Sequence, residues 1–212
     1  MAPGDTAAAG KAPLAMRPQG VAGRIFGVLM ELINAPAYRF ALDLLELGPA
    51  NVVLEIGFGT GRMIELLLAA TTGRIAGVDP TPTMVEVASR RGQVRRNAHR
   101  VSLTLGSDQT LDFPEASFDR VVVLHAFQFW PDPERSLRRI RTLLRPGGRL
   151  VLVLRDHSAR APSWLPNPLS RQPDEAEAIR RLLAGLAFEA AIVRRGRMLG
   201  LVGRLPAAAP TG

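Results

Sequence analysis

The sequence predicts an α/β domain: a mostly parallel sheet covered by helices on both faces, closed at its end by an antiparallel hairpin. Near-continuously apolar strand-like runs recur between helical segments, which is how strands buried on both faces read. The run Val52 to Ile56 ends in three glycines at alternate positions, Gly57, Gly59 and Gly61. Ile64, Leu66, Leu67 and Leu68 then continue at helical density, which marks the strand-to-helix corner where open α/β sheets bind ligands. Near the other end, Phe188 to Arg194 and Arg197 to Val202 flank Arg195-Gly196, a hairpin signature.

Taken in order, the elements begin with helices over Arg24 to Asn34 and Ala37 to Glu46. The first carries Ile25, Leu29 and Leu32 at helical spacing, and the second stops at Gly48-Pro49. Strands follow at Val52 to Ile56, Arg74 to Val78, Val101 to Leu105, Arg120 to Leu124 and Arg149 to Leu154, with helices between most of them. After Ser158 a proline-rich loop (Pro162, Pro166, Pro168) leads to a helix near Asp174 to Ala184. The expected layout is an Ala/Gly/Pro arm at 1–22, one domain at 23–205 and a short disordered tail at 206–212.

Composition bounds the chemistry. A chain of 212 residues is long enough for one α/β core and short for two. It has no cysteine, which excludes disulfides, a thiolate zinc site and a cysteine nucleophile. His99, His125 and His157 are widely separated and do not form a metal-binding pattern. No apolar run reaches the length of a membrane-spanning helix, and Met1 to Gly20 lacks the apolar core of a signal peptide. A cytoplasmic enzyme is the expectation.

The net charge of +8 comes almost entirely from arginine, Lys11 being the only lysine. Arg90, Arg91, Arg95, Arg96 and Arg100 form one cluster, and Arg135, Arg138, Arg139, Arg141 and Arg145 another. Either could face phosphates. In the second, Leu137, Ile140 and Leu144 mark a buried face with the arginines mostly opposite, which reads as a solvated helix side. Aromatic residues are scarce in these stretches, which argues against a base-stacking platform.

The glycine corner reads GxGxG. Neither GxGxxG nor a GK[ST] ending is present. Asp79 closes the next strand about twenty residues on, where such folds place an acid for ribose hydroxyls. Asp-Pro-Thr-Pro at Asp79 to Pro82 is also good turn and helix-start chemistry. A nucleoside cofactor is the leading reading.

Five ordered segments resemble one family: VVLEIGFGTGR at Val52 to Arg62, GVDPTPTM at Gly77 to Met84, LGSDQTLDFPEASFD at Leu105 to Asp119, VVVLHAFQFWPDP at Val121 to Pro133, and LLRPGGRLVLVL at Leu143 to Leu154. Together they are similar to the class I S-adenosylmethionine (SAM) dependent methyltransferases, in the type-11 branch that includes the ubiquinone and menaquinone C-methyltransferases. The resemblance implies a three-layer α/β/α Rossmann-like methyltransferase fold, SAM as cofactor, and methyl transfer by in-line displacement to a small-molecule acceptor.

It also implies roles. Glu55 either holds the methionine end of SAM or organises backbone N–H groups. Gly57, Phe58, Gly59, Thr60 and Gly61 form the approach loop, with Phe58 and Thr60 contributing mostly backbone. Asp79, followed by Pro80, takes the ribose hydroxyls. Met84 either flanks the adenine or packs in the core. Aligning on Leu111, Phe113 and Pro114 puts Ser107 on the usual acidic position for adenine, with Asp108 one residue later, so Ser107, Asp108 and a backbone N–H of Asp108 or Gln109 stay together as candidates. His125 is placed at the site mouth, as a general base or as part of the wall. Phe127, Gln128, Phe129 and Trp130 either line the pocket or pack the next helix. The acceptor is assigned to the N-terminal helices and the loop around Trp164. The absence of an Asn/Asp-Pro-Pro-aromatic tetrapeptide lowers a nucleic-acid acceptor. Two rivals remain: an RNA-directed methyltransferase using the arginine surface, and a non-catalytic SAM- or NAD-binding protein.

Overall fold

A computed structural model describes residues 31, 34–156, 170–171 and 173–207. Among these, helix α1 spans Ala35–Leu45, followed by β1 (Val53–Ile56), α2 (Arg62–Ala70), β2 (Ile75–Asp79), α3 (Pro82–Ser89), α4 (Gly92–Arg96), β3 (Val101–Leu105) and β4 (Phe118–Leu124). A single 3-10 turn at Phe127–Phe129 then leads to α5 (Pro133–Leu143), β5 (Leu144–Asp156), β6 (Ser170–Arg171), α6 (Pro173–Gly185), β7 (Glu189–Arg195) and β8 (Met198–Arg204).

The strands form one sheet in the order β3-β2-β1-β4-β5-β8-β7, with β6 paired to β5 off that path. Strands β1 to β5 run parallel, and β8 is antiparallel to both neighbours. The fold class and the terminal hairpin are as the sequence predicts. The hairpin's placement is not sequential, because the last strand inserts between β5 and β7.

Alternation along each strand sends side chains to two separate cores. Leu54, Ile56, Val121, Val123, Leu150 and Leu152 pack with Leu137, Ile140 and Leu143 of α5 and with Ala176, Ile179 and Leu183 of α6. Val53, Ile75, Val122, Leu124, Val151 and Val153 pack on the other face with Phe40, Leu45, Met63, Ile64 and Leu67 of α1 and α2. All four residues of β1 are buried. The three-layer arrangement follows: a strand apolar on both faces is satisfied only between two helical layers.

Some boundaries differ from expectation. Helix α1 leaves its axis at Glu46, whose φ of 45° is left-handed, two residues before Gly48. Arg120 donates to the main-chain oxygens of Leu45 (2.7 Å) and Glu46 (3.0 Å), and Arg149 to that of Leu44 (2.8 Å), so two guanidinium groups satisfy the carbonyls of this helix end. Strand β5 begins at Leu144 rather than Arg149, because Leu144 pairs with Phe118 before the register shifts ahead of Arg120. The helix expected over Arg24 to Asn34 lies, apart from Glu31 and Asn34, outside the described residues. So do the 1–22 arm, His157, the loop around Trp164 and most of the 206–212 tail.

The second arginine cluster departs from a plain solvated face. Arg138 pairs with Glu134 on the exposed side, but Arg139 donates to the main-chain oxygens of Leu111 (3.0 Å) and Phe113 (2.7 Å). Arg141 reaches Leu186 O at 2.8 Å, and Arg145 holds the Asp119 carboxylate at 2.9 Å. Most of these cations cap the protein's own backbone. Among the described residues no helix is long and apolar enough to cross a membrane.

Candidate functional site

The candidate site lies at the carboxyl edge of the parallel strands, where β1, β2, β3 and β4 release the chain. Strand β1 ends at Ile56 and turns through Gly57, Gly59 and Gly61, with φ of 79°, 54° and 82°, a region that side chains rarely enter. Each glycine answers a different constraint. A Cβ on Gly57 would stand 2.5 Å from the Ala126 Cβ, so the segment after β4 presses directly on the turn. One on Gly61 would stand 2.7 Å from the Ala88 Cβ of α3. A Cβ on Gly59 would meet nothing within 4 Å; this is the open position of the turn.

Asp79 links the turn to β2. Its Oδ2 accepts the Gly59 N–H at 2.8 Å and its Oδ1 the Thr81 N–H at 2.9 Å. The carboxylate therefore serves the Asp-Pro-Thr-Pro turn and also ties that turn to the glycine loop. It is buried, and burial pushes its carboxyl pKa up, while the bonds from Gly59 and Thr81 pull it down. Each oxygen keeps a further lone pair.

Glu55 is the most exceptional group. It is 2% exposed, and its Oε2 has no hydrogen-bond partner. Burial pushes its pKa from an ordinary 4.5 up to about 8, and the nearby Asp79 charge adds to the rise. A buried carboxyl left partnerless is costly unless a ligand supplies the partner. The Tyr38 phenol, on α1, is held in its neutral form by burial first and then by the charges of Glu55 and Glu31.

Phe58 is buried against β2, where its ring fills the space that a Cβ on Gly77 would enter, so its backbone is what remains for the loop. Met84 is 3% exposed and belongs to the core cluster that holds Phe58, Ala88 and Val94. Pro80 is exposed. Beyond β3, the Ser107 Oγ accepts the Gln109 N–H at 3.2 Å. Asp108 is buried and turned toward α5, its Oδ2 accepting from the Ser136 hydroxyl at 2.5 Å and from Gln109 Nε2 at 2.9 Å. A cavity of about 400 Å³, walled by Asp108, Gln109, Asp112, Arg135 and Arg139, opens beside this pair.

His125 follows β4 with φ at 55°. Its N–H donates to Val153 O at 2.9 Å and its carbonyl accepts from Gln128 Nε2 at 2.6 Å. Burial, and to a lesser degree the charge of Arg155, lowers the imidazole pKa from 6.5 to about 4. The ring is neutral across the physiological range. Gln128 Oε1 is the second buried side-chain atom without a partner among the described residues. Phe127 and Trp130 are buried and pack with their rings tilted at 56°, 5.0 Å between centroids, so both belong to the packing under α5. Phe129 is half-buried.

Sequence reasoning missed Arg91 and Ser136. Arg91 binds the turn's Thr60 O through Nε at 2.6 Å. No motif marks either residue; only the folded chain brings them to the loops they hold.

Comparison with known proteins gives a consistent answer. Residues 54–152 match the family described as a methyltransferase domain. An uncharacterized methyltransferase, YdaC of Bacillus subtilis, is 25% identical over 65% of this chain and 74% of its own. A demethylmenaquinone methyltransferase of Thermus thermophilus is 32% identical over 54% of this chain. The chain spans about half of that relative (52%), and between 32% and 43% of several others. In fold, the methyltransferase in the complex with the Haloferax volcanii Trm112 methyltransferase activator superposes with a TM-score of 0.75 at 19% identity, covering 92% of this chain and 99% of that one.

The described domain thus carries a methyltransferase-domain match over residues 54–152 and has the fold of a SAM-dependent methyltransferase of Aquifex aeolicus. Demethylmenaquinone methyltransferases of Thermus thermophilus and Symbiobacterium thermophilum are both among the proteins to which the chain is similar.

Proposed function

We propose that this chain transfers the SAM methyl group to a small-molecule acceptor bound beyond the carboxyl end of β4. The observation that carries the reading is the partnerless Glu55 carboxyl beside a turn whose one open position, Gly59, is tied to Asp79. A buried acid without a partner fits a cationic amino group, and the remaining lone pairs of Asp79 fit the two ribose hydroxyls. Gly57 to Gly61 would give the backbone approach. Ser107, Asp108 and Gln109 stand where the adenine would lie. The Ser136 bond already occupies one oxygen of Asp108, so the Ser107 hydroxyl and the N–H groups of this loop are the better-placed donors and acceptors.

When bound, SAM supplies an electrophilic methyl on a sulfonium with a good leaving group. What remains for the protein is to orient the acceptor and exclude water. His125 suits a wall better than a base, because an imidazole with a pKa near 4 gains little by taking a proton at neutral pH. A mostly apolar groove of about 260 Å³, lined by Phe127, Pro133, Ala178, Ile179 and Leu182 with Glu175 at its wall, opens beside the turn after β4 and favours an acceptor with apolar bulk. The engagement of Arg100, Arg139, Arg141 and Arg145 with the protein's own oxygens argues against an RNA-binding surface.

Titration calorimetry with SAM, followed by a SAM-consumption screen over small phenols, quinones, amines and lipids, tests the proposal. Saturable SAM binding and turnover with one of these classes are expected. Turnover only with RNA, lost steeply as salt rises, would overturn the acceptor class.

A further inference from the structure

Arg91 occupies the short link between α3 and α4 and joins four separate parts of the chain. Its Nε–H donates to the main-chain oxygen of Thr60 in the glycine turn at 2.6 Å. Its Nη1 reaches Glu65, in the first turn of α2, at 2.8 Å. Its Nη2 contacts the Glu31 carboxylate ahead of α1, and that same oxygen accepts the Thr60 hydroxyl. The Arg91, Glu31 and Glu65 side chains are 19%, 17% and 14% exposed. At that depth, pairing and hydrogen bonding persist that an open surface pair would lose to solvent.

The geometry has two sides. Three left-handed glycines in five residues make a turn that loses much conformational freedom on ordering. On its inner side the turn is open at Gly59; on its outer side the guanidinium holds Thr60, and the Arg91 Cδ lies 3.5 Å from the place of a Cβ on Gly61. A planar fork that bonds a carbonyl and two carboxylates at once fixes position in a way a single ammonium does not. We infer that Arg91 is a positioning residue which, anchored by Glu31 and Glu65, pre-organises the Gly57 to Gly61 turn from outside the cofactor site and so sets its affinity for SAM. This rests on the reading of that turn as the SAM loop.

The test uses the full chain with Arg91→Gln, Arg91→Lys and, as a control, Arg100→Gln. Arg100 clamps the main-chain oxygens of Leu68, Thr71 and Gly73 at the opposite edge of the sheet, so its loss removes comparable bonds far from the turn. SAM dissociation constants come from calorimetry, and amide hydrogen exchange reports on residues 57–61. Arg91→Gln is expected to raise the SAM Kd about tenfold or more and to speed exchange in the turn. Arg91→Lys should fall between it and wild type, and Arg100→Gln should leave both readouts unchanged. A Kd within about twofold of wild type for Arg91→Gln, or an equal rise in Arg100→Gln, overturns the inference. Should Arg91→Gln fail to fold, Arg91→Lys is judged against the same twofold limit. A wild-type chain that takes no SAM refutes the cofactor reading instead, and the exchange rates of the turn then decide the clamp alone.

Discussion

The two edges of the sheet treat their polar groups in opposite ways. At the amino edge nearly everything is paired: Arg100 takes three main-chain oxygens, Arg120 and Arg149 satisfy the end of α1, and Arg145 grips Asp119, which itself accepts the Val52 N–H at 2.7 Å. The carboxyl edge instead holds, among the described residues, both buried side-chain oxygens that lack a partner, on Glu55 and Gln128. Satisfied groups stabilise a fold, whereas an unsatisfied buried acid makes it less stable until a ligand arrives. One edge is structural, and the other is left incomplete where the ligand is expected.

The comparison breaks first at Gly57. Gly57→Val combines a left-handed residue with a side chain 2.5 Å from Ala126, and should destabilise the protein by roughly 3 to 5 kcal/mol, read from urea unfolding. Wild-type stability in this variant would mean that the turn and the segment after β4 are not packed as described. Asp79→Ala should weaken SAM binding by roughly 1.5 to 3 kcal/mol. An unchanged affinity in folded protein removes the ribose assignment.

Glu55→Gln sharpens the contrast because stability and binding should move in opposite directions. The folded-state pKa lies near 8 against an ordinary 4.5, so between these values the folded protein binds more protons than the unfolded chain. Wild-type stability therefore falls as pH rises through that window. Glutamine cannot ionise, so the variant should become the more stable of the two by on the order of 1 to 3 kcal/mol at pH 8. Its SAM affinity should be lower at the same pH, since the charge opposite the amino group is gone. Parallel melting and binding series at pH 5 and pH 8 would reveal a flat stability difference, which would sink this account.

At the amino edge, Arg100→Gln should cost about 1 to 2 kcal/mol of stability through its orphaned carbonyls while SAM affinity stays constant. The smallest effect belongs to His125→Asn. Asparagine tolerates the φ of 55°, and with the imidazole neutral above about pH 4 the turnover should change by less than about threefold. Its pH profile should stay flat from pH 6 to pH 8. A variant with normal SAM affinity but a large loss of kcat would restore His125 as a general base.

Much of this was legible in the sequence, for local reasons. Strand and helix periodicity, the glycine corner and the Arg195-Gly196 turn act over a few residues, so β1 to β4, α1, α6 and the terminal hairpin lie within about two residues of the limits the sequence predicts, whereas β5 starts five residues earlier. Asp79 is legible from its position at a strand end, and Glu55 from the family resemblance. The sequence did not reveal that Gly57 yields to Ala126 and Gly61 to Ala88, or that Gly59 alone faces open space. Contacts across 27 to 69 residues have no local signature.

The chain by itself thus determined the α/β class, the parallel core and the resemblance to methyltransferases, because these follow from apolar periodicity and from motifs contiguous in sequence. Tertiary structure alone decided that β8 inserts between β5 and β7, that Arg100, Arg120, Arg139 and Arg149 cap main-chain carbonyls, and that Arg91 holds the glycine turn against Glu31 and Glu65. The physical reason is burial: the environment that pushes Glu55 up and His125 down, and makes a guanidinium seek a distant carbonyl, exists only once the two helical layers have closed over the sheet.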